Sequence, residues 1–477
     1  MSLLASLLSS SSALSVFDRA VSVAQNNVTN ATTPGYASQR LGLDALALDP
    51  FQGLLGGLRA GDLESARNEF AEAAVRRQQE SLGSTGQQAA TLQSIEGALD
   101  LSGTSGIPAT LSNLFQSFAA WSVTPTSGAA RQAVIDGARR AAESFHTAAA
   151  KLGQVSQDTD RQIKQTVVQV NALAQQIRLY NDERRRGNQR DAALDAKIHI
   201  SLERLSELVN YTAHFQSDGS VTVLLGGQTP LVIGDHGYEL AVGFAIPGDP
   251  PPTNGQAPPS VLVLDSAGRD VTVQATGGRL GALLDARNHV LASFLGDAYQ
   301  PGELNRLAQT FADRVNEILT AGNISDGPPQ TGAPLFSYDA TDATWAARTL
   351  ALDPGITPDQ LAAIDPGPPY ASNGTVLKVA ALSNPLDTAD KIDGFSYETF
   401  FGSLASGLGR ALGDARDRQS LDSQLLAQSR GLRDQVSGVS LDEQAVILIQ
   451  FQRAYQANAK LITVLNDLTA TAISLLR

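Results

Sequence analysis

The sequence predicts a mainly α-helical, elongated protein: a helical rod, a coiled coil built from its N- and C-terminal segments, a smaller β region and a Pro/Gly-rich outer segment. Three observations carry that expectation. Apolar residues recur at alternating steps of four and three at both chain ends. Long stretches between the ends keep a helical period. Two-residue alternation is confined to a short region after His214.

From Met1 to Tyr36 the only charges are Asp18 and Arg19, while Leu3, Leu7, Ser10, Leu14, Phe17, Val21, Ala24 and Val28 form a heptad seam. Ile447, Phe451, Ala454, Asn458, Leu461, Leu465, Leu468, Ala472 and Leu475 repeat the pattern at the other end. Asn458, polar within that seam, is placed to fix register. Ordering a residue costs roughly 1–2 kcal/mol, against about 1.5–3 kcal/mol for each large apolar side chain buried. A solitary amphipathic helix therefore stays disordered until a partner covers its stripe. Both ends are expected to be mobile in a monomer and helical in an assembly. The competing reading pairs the two helices on each other inside one stable bundle.

Asn26, Asn27 and Asn30 weaken the first helix, and Thr33-Pro34-Gly35-Tyr36 then spells a type II turn: proline presets the first central angle and glycine accepts the positive second one. Residues 37–61 read as an irregular segment with room for a short hairpin. Helix is expected from Asp62, as N-cap, to about Leu101, then after Pro108, where Leu111, Leu114, Phe115, Phe118 and Trp121 share a face. A very long helix follows from Ser127 to about Arg186, with Ile163, Val167, Val170, Ala174 and Ile177 as its seam and Gly137 and Gly153 as loosening points.

The period then changes. Expected strands are Val221 to Leu225, Leu231 to Ile233, Tyr238 to Val242, Val261 to Leu264 and Val271 to Val273, with Pro247 to Pro259 an exposed loop. Helix returns after Gly277 and Gly278 to about Asp297, from Gly302 to Thr320, and from Ser396 to Val436. The expected division is therefore 1–36 plus 437–477 as the terminal coiled coil, 37–213 plus 275–320 plus 395–436 as the rod, 214–274 as the β region, and 321–394 as a Pro/Gly-rich outer segment.

Here the residues carry a resemblance. Asn26 to Tyr36, reading Asn-Asn-Val-Thr-Asn-Ala-Thr-Thr-Pro-Gly-Tyr, resembles the N-terminal signature of bacterial flagellar axial proteins. Tyr36, where rod and hook proteins usually carry Phe, points toward the hook-associated protein 1 family. Gly438, Val439, Leu441, Asp442, Glu443, Ala445, Tyr455, Gln456, Asn458 and Lys460 look like that family's C-terminal signature. Leu304, Asn305, Leu307, Ala308, Phe311, Ala312, Val315 and Asn316 look like its mid-chain helix. Leu194, Asp195, Leu202, Leu205, Leu208 and Val209 look like the helix before its small β region. The matches run in family order, with departures. Leu468-Thr469-Ala470 stands where an aromatic often lies, Arg40 comes later after the turn than the usual Arg, and 321–394 is short for the outer β domain of larger relatives.

The resemblance implies a structural component of the flagellum, forming the junction between hook and filament by self-assembly of its terminal helices. It implies a location outside the cell, reached without a cleaved signal peptide through the flagellar export apparatus. The implied partners are further copies of the chain in a ring or helical array, hook protein, the third hook-associated protein, and a cytoplasmic export chaperone at the C-terminal helix. The assembly residues so marked are Leu7, Leu14, Phe17, Val21, Asn27, Pro34, Gly35 and Tyr36, with Phe451, Tyr455, Gln456, Asn458, Lys460, Leu461, Leu465 and Leu468. The alternatives are another axial protein, such as the third hook-associated protein or a flagellin, or a secreted enzyme or adhesin on a flagellar-like scaffold.

Composition fits a structural reading. A chain of 477 residues with 42% hydrophobic and 17% charged residues is globular in composition and long enough for several domains. A net charge of −13 argues against nucleic-acid binding, and Arg184-Arg185-Arg186 sits among acids as a solvated helix end. The chain has no cysteine, hence no disulfide framework or thiolate metal site. The start lacks a basic n-region and an A-x-A site, so no Sec signal is expected, and no apolar run is long enough for membrane insertion. His146, His199, His214, His236 and His289 have no ligand spacing, and no nucleophile elbow or P-loop occurs. No catalytic residue, cofactor or metal is expected; the N-x-S/T sequons at Asn27, Asn30, Asn210, Asn323 and Asn373 read as incidental.

Overall fold

A computed structural model describes residues 3–49, 54–100, 106–187, 191–245 and 260–475. Helix α1 (Leu3–Thr29) leads through a turn into strands β1 (Gln39–Asp49) and β2 (Leu54–Ser65), followed by α2 (Glu69–Leu99), α3 (Ile107–Val123), α4 (Gly128–Arg185) and α5 (Ala192–Leu208). Strands β3 (Tyr211–Phe215), β4 (Val221–Leu225), β5 (Thr229–Ile233) and β6 (His236–Gly237) form an antiparallel sheet in chain order, and β7 (Ala241–Phe244) pairs with β8 (Val261–Leu264). Helix α6 (Gly278–Asp285), a π turn (Ala286–Val290) and α7 (Leu291–Leu295) run on continuously, and α8 (Glu303–Ala321) follows. The rest comprises two small antiparallel pairs, β9 (Asn323–Asp326) with β10 (Pro329–Thr331) and β11 (Phe336–Ser337) with β12 (Ala351–Leu352), the short α9 (Ala346–Thr349) and α10 (Gly374–Ala381), then the long α11 (Tyr397–Ser437) and α12 (Leu441–Leu475).

Helix α4 organises the rod. Its 58 residues extend about 87 Å at 1.5 Å per residue, and Ser127 caps it by accepting from the Ala130 amide at 3.2 Å. Its first half packs Val134, Ala138, Ala141, Phe145 and Leu152 against α3 and α8. Its second half packs Ile163, Val167, Val170, Ala174 and Ile177 against α5, the sheet and α6. Neither glycine breaks it: a Cβ on Gly137 would stand 3.3 Å from Leu114, so this glycine admits α3 closely. Two asparagines of α4 act as strand edges. Asn171 exchanges hydrogen bonds with the Leu240 backbone, and Asn181 does so with Val221 while also donating to the Gly234 carbonyl, all at 2.8–2.9 Å.

Several expectations are corrected. The hairpin allowed for in residues 37–61 is long, not short: β1 and β2 pair Gln39 with Ser65 through Asp49 with Leu54, bulged between Leu41 and Leu43. Asp62 lies in β2, and α2 starts at Glu69 under Asn68, whose side chain accepts from the Phe70 and Ala71 amides. Residues 271–273 are not a strand, because Asp270 accepts from both the amide and hydroxyl of Thr272 and winds the chain into a 3-10 turn at Thr272–Gln274. Of Tyr238 to Val242 only Ala241 and Val242 are strand, at the start of β7; Tyr238 to Leu240 link it to β6. The Pro247–Pro259 loop lies outside the described residues.

The segment 321–394 was expected as an outer insertion, yet it builds the larger core. Leu335, Phe336, Ala347, Leu350, Leu361, Val376 and Val379 are buried there with Phe118, Phe311 and Tyr397. Its prolines and glycines suppress periodicity without preventing burial, since short turns deliver one or two apolar side chains each. No described helix is long and apolar enough to cross a membrane.

Candidate assembly interface

The chain ends meet. Helices α1 and α12 pack along each other, with the rings of Phe17 and Phe451 6.1 Å apart, and the β1–β2 hairpin lies across α1, where Ser12 donates to the Leu58 carbonyl at 3.2 Å. A Cβ on Gly57 would approach Ser9 Oγ to 2.7 Å, which brings the hairpin backbone close against α1.

The buried stripe of α1 is formed by small residues. Ser10, Val16, Ala20, Ala24 and Asn27 are buried, whereas Leu7, Leu14, Phe17 and Val21 are half-buried and flank that stripe. On α12, Ile447, Phe451, Ala454, Asn458, Leu465 and Ala472 are half-buried, as are Ile462 and Thr469. Leu461 and Leu468 of the sequence-derived seam fall outside it, at 48% and 51% exposure. Tyr455, Gln456 and Lys460 are exposed, and Asn458 donates to Ala454 of its own helix at 3.2 Å rather than across the pair.

Register is set elsewhere, at Asn27. Its buried amide donates to the Gln39 carbonyl at 2.8 Å and to Gln444 Oε1 at 3.0 Å, while its oxygen accepts from the Gln39 amide and the Tyr36 hydroxyl, each at 2.9 Å. One side chain thus joins α1, the start of β1 and α12. Far from weakening the helix, it sits inside α1, which runs on to Thr29. Partial burial raises the Tyr36 phenol above its ordinary value, so it stays a donor.

The turn forms as the sequence indicates. The Tyr36 amide donates to the Thr33 carbonyl at 3.2 Å, Gly35 has φ +68°, and Pro34 is exposed. A Cβ on Gly35 would lie 2.7 Å from Ile200 Cγ1, so the turn presses directly on α5. Behind it lies a charged joint. The Ser38 amide donates to the Ser437 carbonyl at 2.9 Å and the Asn68 amide to Ser437 Oγ at 3.1 Å, binding the three chain passages there. Arg67 donates to the Gly35 carbonyl at 2.6 Å, to Asp195 at 2.7 Å and to Glu72. Arg184 takes the other Asp195 oxygen at 2.8 Å, and Arg433 pairs with Glu203 at 3.0 Å.

Burial pushes the Asp195 carboxyl up, but Arg67, His199 and Arg184 together outweigh it and hold the group below the usual carboxylate range. His199, buried and stacked 5.1 Å from Phe215, is driven well below the imidazole value by burial first and by Arg67 next. Sequence reading missed Arg67, Gln444 and Ser437. Ser437 opens the C-terminal signature and Gln444 lies within it, between Glu443 and Ala445, without either standing out as a contact residue, and Arg67 stands directly before the Asn68 cap. Among the described residues no group of three or more His, Asp and Glu could hold a metal ion.

Comparison with known proteins agrees with this architecture. Residues 92–336 match the family described as flagellar hook-associated protein FlgK helical domain, and residues 434–475 match the flagellar basal body rod FlgEFG protein C-terminal family. Flagellar hook-associated protein 1 of Bacillus subtilis (strain 168) is 25% identical over 493 aligned positions, covering 97% of this chain and 96% of that protein. The structure of the flagellar hook junction protein FlgK from Burkholderia pseudomallei superposes with a TM-score of 0.63 at 15% identity, over 76% of this chain and all of that one, a likeness of fold. With the helical-domain family spanning more than half of its residues, the chain belongs to the FlgK family of flagellar hook-associated proteins.

Proposed function

We propose that the chain joins hook to filament by packing its terminal helix pair against the pairs of neighbouring copies. The role itself is structural, as a flagellar component of the hook–filament junction. The observation that supports this mode of assembly is a second apolar face on α12. Val446, Ile449, Leu461, Val464 and Leu468 are each 48–56% exposed. At 100° per residue they fall on an arc centred roughly 110° round from the stripe facing α1. A helix with two apolar faces belongs in a layer with neighbours on both sides.

Covering the remaining half of these five side chains would contribute about 4–8 kcal/mol, from 1.5–3 kcal/mol for full burial of each. That is comparable with the cost of immobilising a subunit, so neighbours on several sides are needed to hold one copy. Each copy offers one surface forward and another back, the heterologous arrangement that closes into a ring or continues as a helix. Hook protein below and the third hook-associated protein above are the axial partners that fit such an array. A cytoplasmic chaperone covering the same α12 face before export, and passage through the flagellar export apparatus without a cleaved signal, complete the reading.

Because the chain contains no cysteine, a Leu461→Cys variant labelled with a thiol-attached benzophenone tests it cleanly, since the photoprobe reacts with whatever surface of the next copy lies against it. Irradiation of the assembled junction should yield covalently linked copies, and irradiation of the dilute chain should not. Assembled material that gives no linkage would exclude this face from the interface.

A further inference from the structure

We propose that Arg67 is a positioning residue, whose guanidinium fixes the direction in which the turn carrying the terminal helix pair leaves the rod. Arg67 stands between the end of β2 and the start of α2, where the chain passes from the terminal module into the rod. Its side chain is only 6% exposed. Nη2 donates to the Gly35 carbonyl at the turn (2.6 Å), Nε to Asp195 on α5 (2.7 Å) and Nη1 to Glu72 on α2. The first partner belongs to the terminal segment and the other two to the rod.

The surroundings suit a fixed geometry. Three guanidinium groups, Arg67, Arg184 and Arg433, alternate with three carboxylates, Glu72, Asp195 and Glu203. Arg184 also donates to the Gly219 carbonyl at 2.6 Å, which ties the network to the sheet. Buried ion networks add little net stability over well-packed apolar residues of the same volume. What they supply is direction: the guanidinium is planar with its donors at set angles, whereas apolar contact tolerates sliding. A lysine in the same place offers one charged nitrogen and cannot span three acceptors on separate elements. The contact between Gly35 and Ile200 supplies a fulcrum, and Arg67 sets the angle about it.

The test measures direction separately from stability. Nitroxides are attached at Thr32→Cys in the turn and Ser94→Cys on α2, both exposed positions in a cysteine-free chain. Thr32 lies in the turn itself, so the reading does not depend on order in α1 or α12 beyond it. With Arg67 present, the distance distribution should be single and narrow. Arg67→Lys should widen it about twofold as a second population appears, with the thermal midpoint of the rod unchanged. Should Arg67→Lys lower that midpoint, the paired Arg67→Leu/Glu72→Gln variant removes one charge of each sign and should widen the distribution in the same way. A distribution that stays narrow in both variants, or one already broad with Arg67 in place, would overturn the proposal.

Discussion

Replacing Leu461 and Leu468 by Asp should leave the free chain folded and prevent its incorporation into the junction. Both side chains are about half exposed in the single chain, at 48% and 51%, and exposed substitutions usually shift stability by no more than about 0.5 kcal/mol. In the assembly each loses the remaining half of its burial, about 0.75–1.5 kcal/mol. Each new carboxyl must also be desolvated or take up a proton. Keeping an Asp neutral at pH 7 costs up to about 4 kcal/mol, being three units above its ordinary pKa. The sum is about 1–5 kcal/mol per site, so two sites weaken each subunit contact by at least about thirtyfold. The assay pairs thermal unfolding of the purified variant with electron microscopy of hook ends in cells expressing it. An unchanged melt with hooks lacking filaments is the expected outcome. Normal junctions would refute the placement of these residues in the interface, and a collapsed melt would refute their reading as open surface. Leu465→Asp, on the α1-facing side, should differ by loosening the helix pair within the single chain.

Three further outcomes follow from the joint. Asn27→Ala strands the Gln39 amide and carbonyl and Gln444 Oε1, and at about 1–3 kcal/mol per buried unpaired group the joint of α1, β1 and α12 should lose about 3–9 kcal/mol. A double-mutant cycle with Gln444→Ala should then show a coupling energy, and strict additivity would argue against the shared node. Gly35→Ala combines a positive φ with a 2.7 Å approach to Ile200 and should cost about 1–3 kcal/mol, measured as a lower urea midpoint, whereas Pro34→Ala should cost less. For His199 the folded pKa lies below the unfolded 6.5. The unfolded chain therefore binds the extra proton first as pH falls, and stability declines below about pH 6.5 by up to about 1.4 kcal/mol per pH unit until the folded value is reached. His199→Gln should flatten that part of the stability profile, and an unchanged slope would remove His199 as its source.

The parts legible in the sequence are those fixed by local chemistry. Ser127 announced α4, and Thr33 to Tyr36 announced the turn, because caps and turns are decided by residues within four positions of one another. The seam of α12 was legible at Ile447, Phe451, Ala454, Asn458, Leu465 and Ala472, but its row through Ile447 and Ala454 drifted off by Leu461 and Leu468. A straight helix departs from a seven-residue repeat by about 20° per heptad, and three heptads separate Ile447 from Leu468. On α1 the predicted seam included Ser10 and Ala24, which are buried, but it also placed Leu14 and Val21 there, whereas close approach of α12 and the hairpin selects Val16 and Ala20. The hairpin was obscured because Gly42, Gly56, Gly57 and Gly61 interrupt its alternation. Arg67 was invisible for a different reason: its partners Gly35 and Asp195 lie 32 and 128 residues away.

Amide hydrogen exchange on α1 and α12, compared between the dilute chain and the assembled junction, is the most direct measurement of whether neighbours complete the terminal helices. Ordering by assembly requires exchange in both helices to be much faster than in α4 for the free chain, and to slow to the level of α4 once copies are packed together. Equal protection of α4 and α12 in the solitary chain would contradict it.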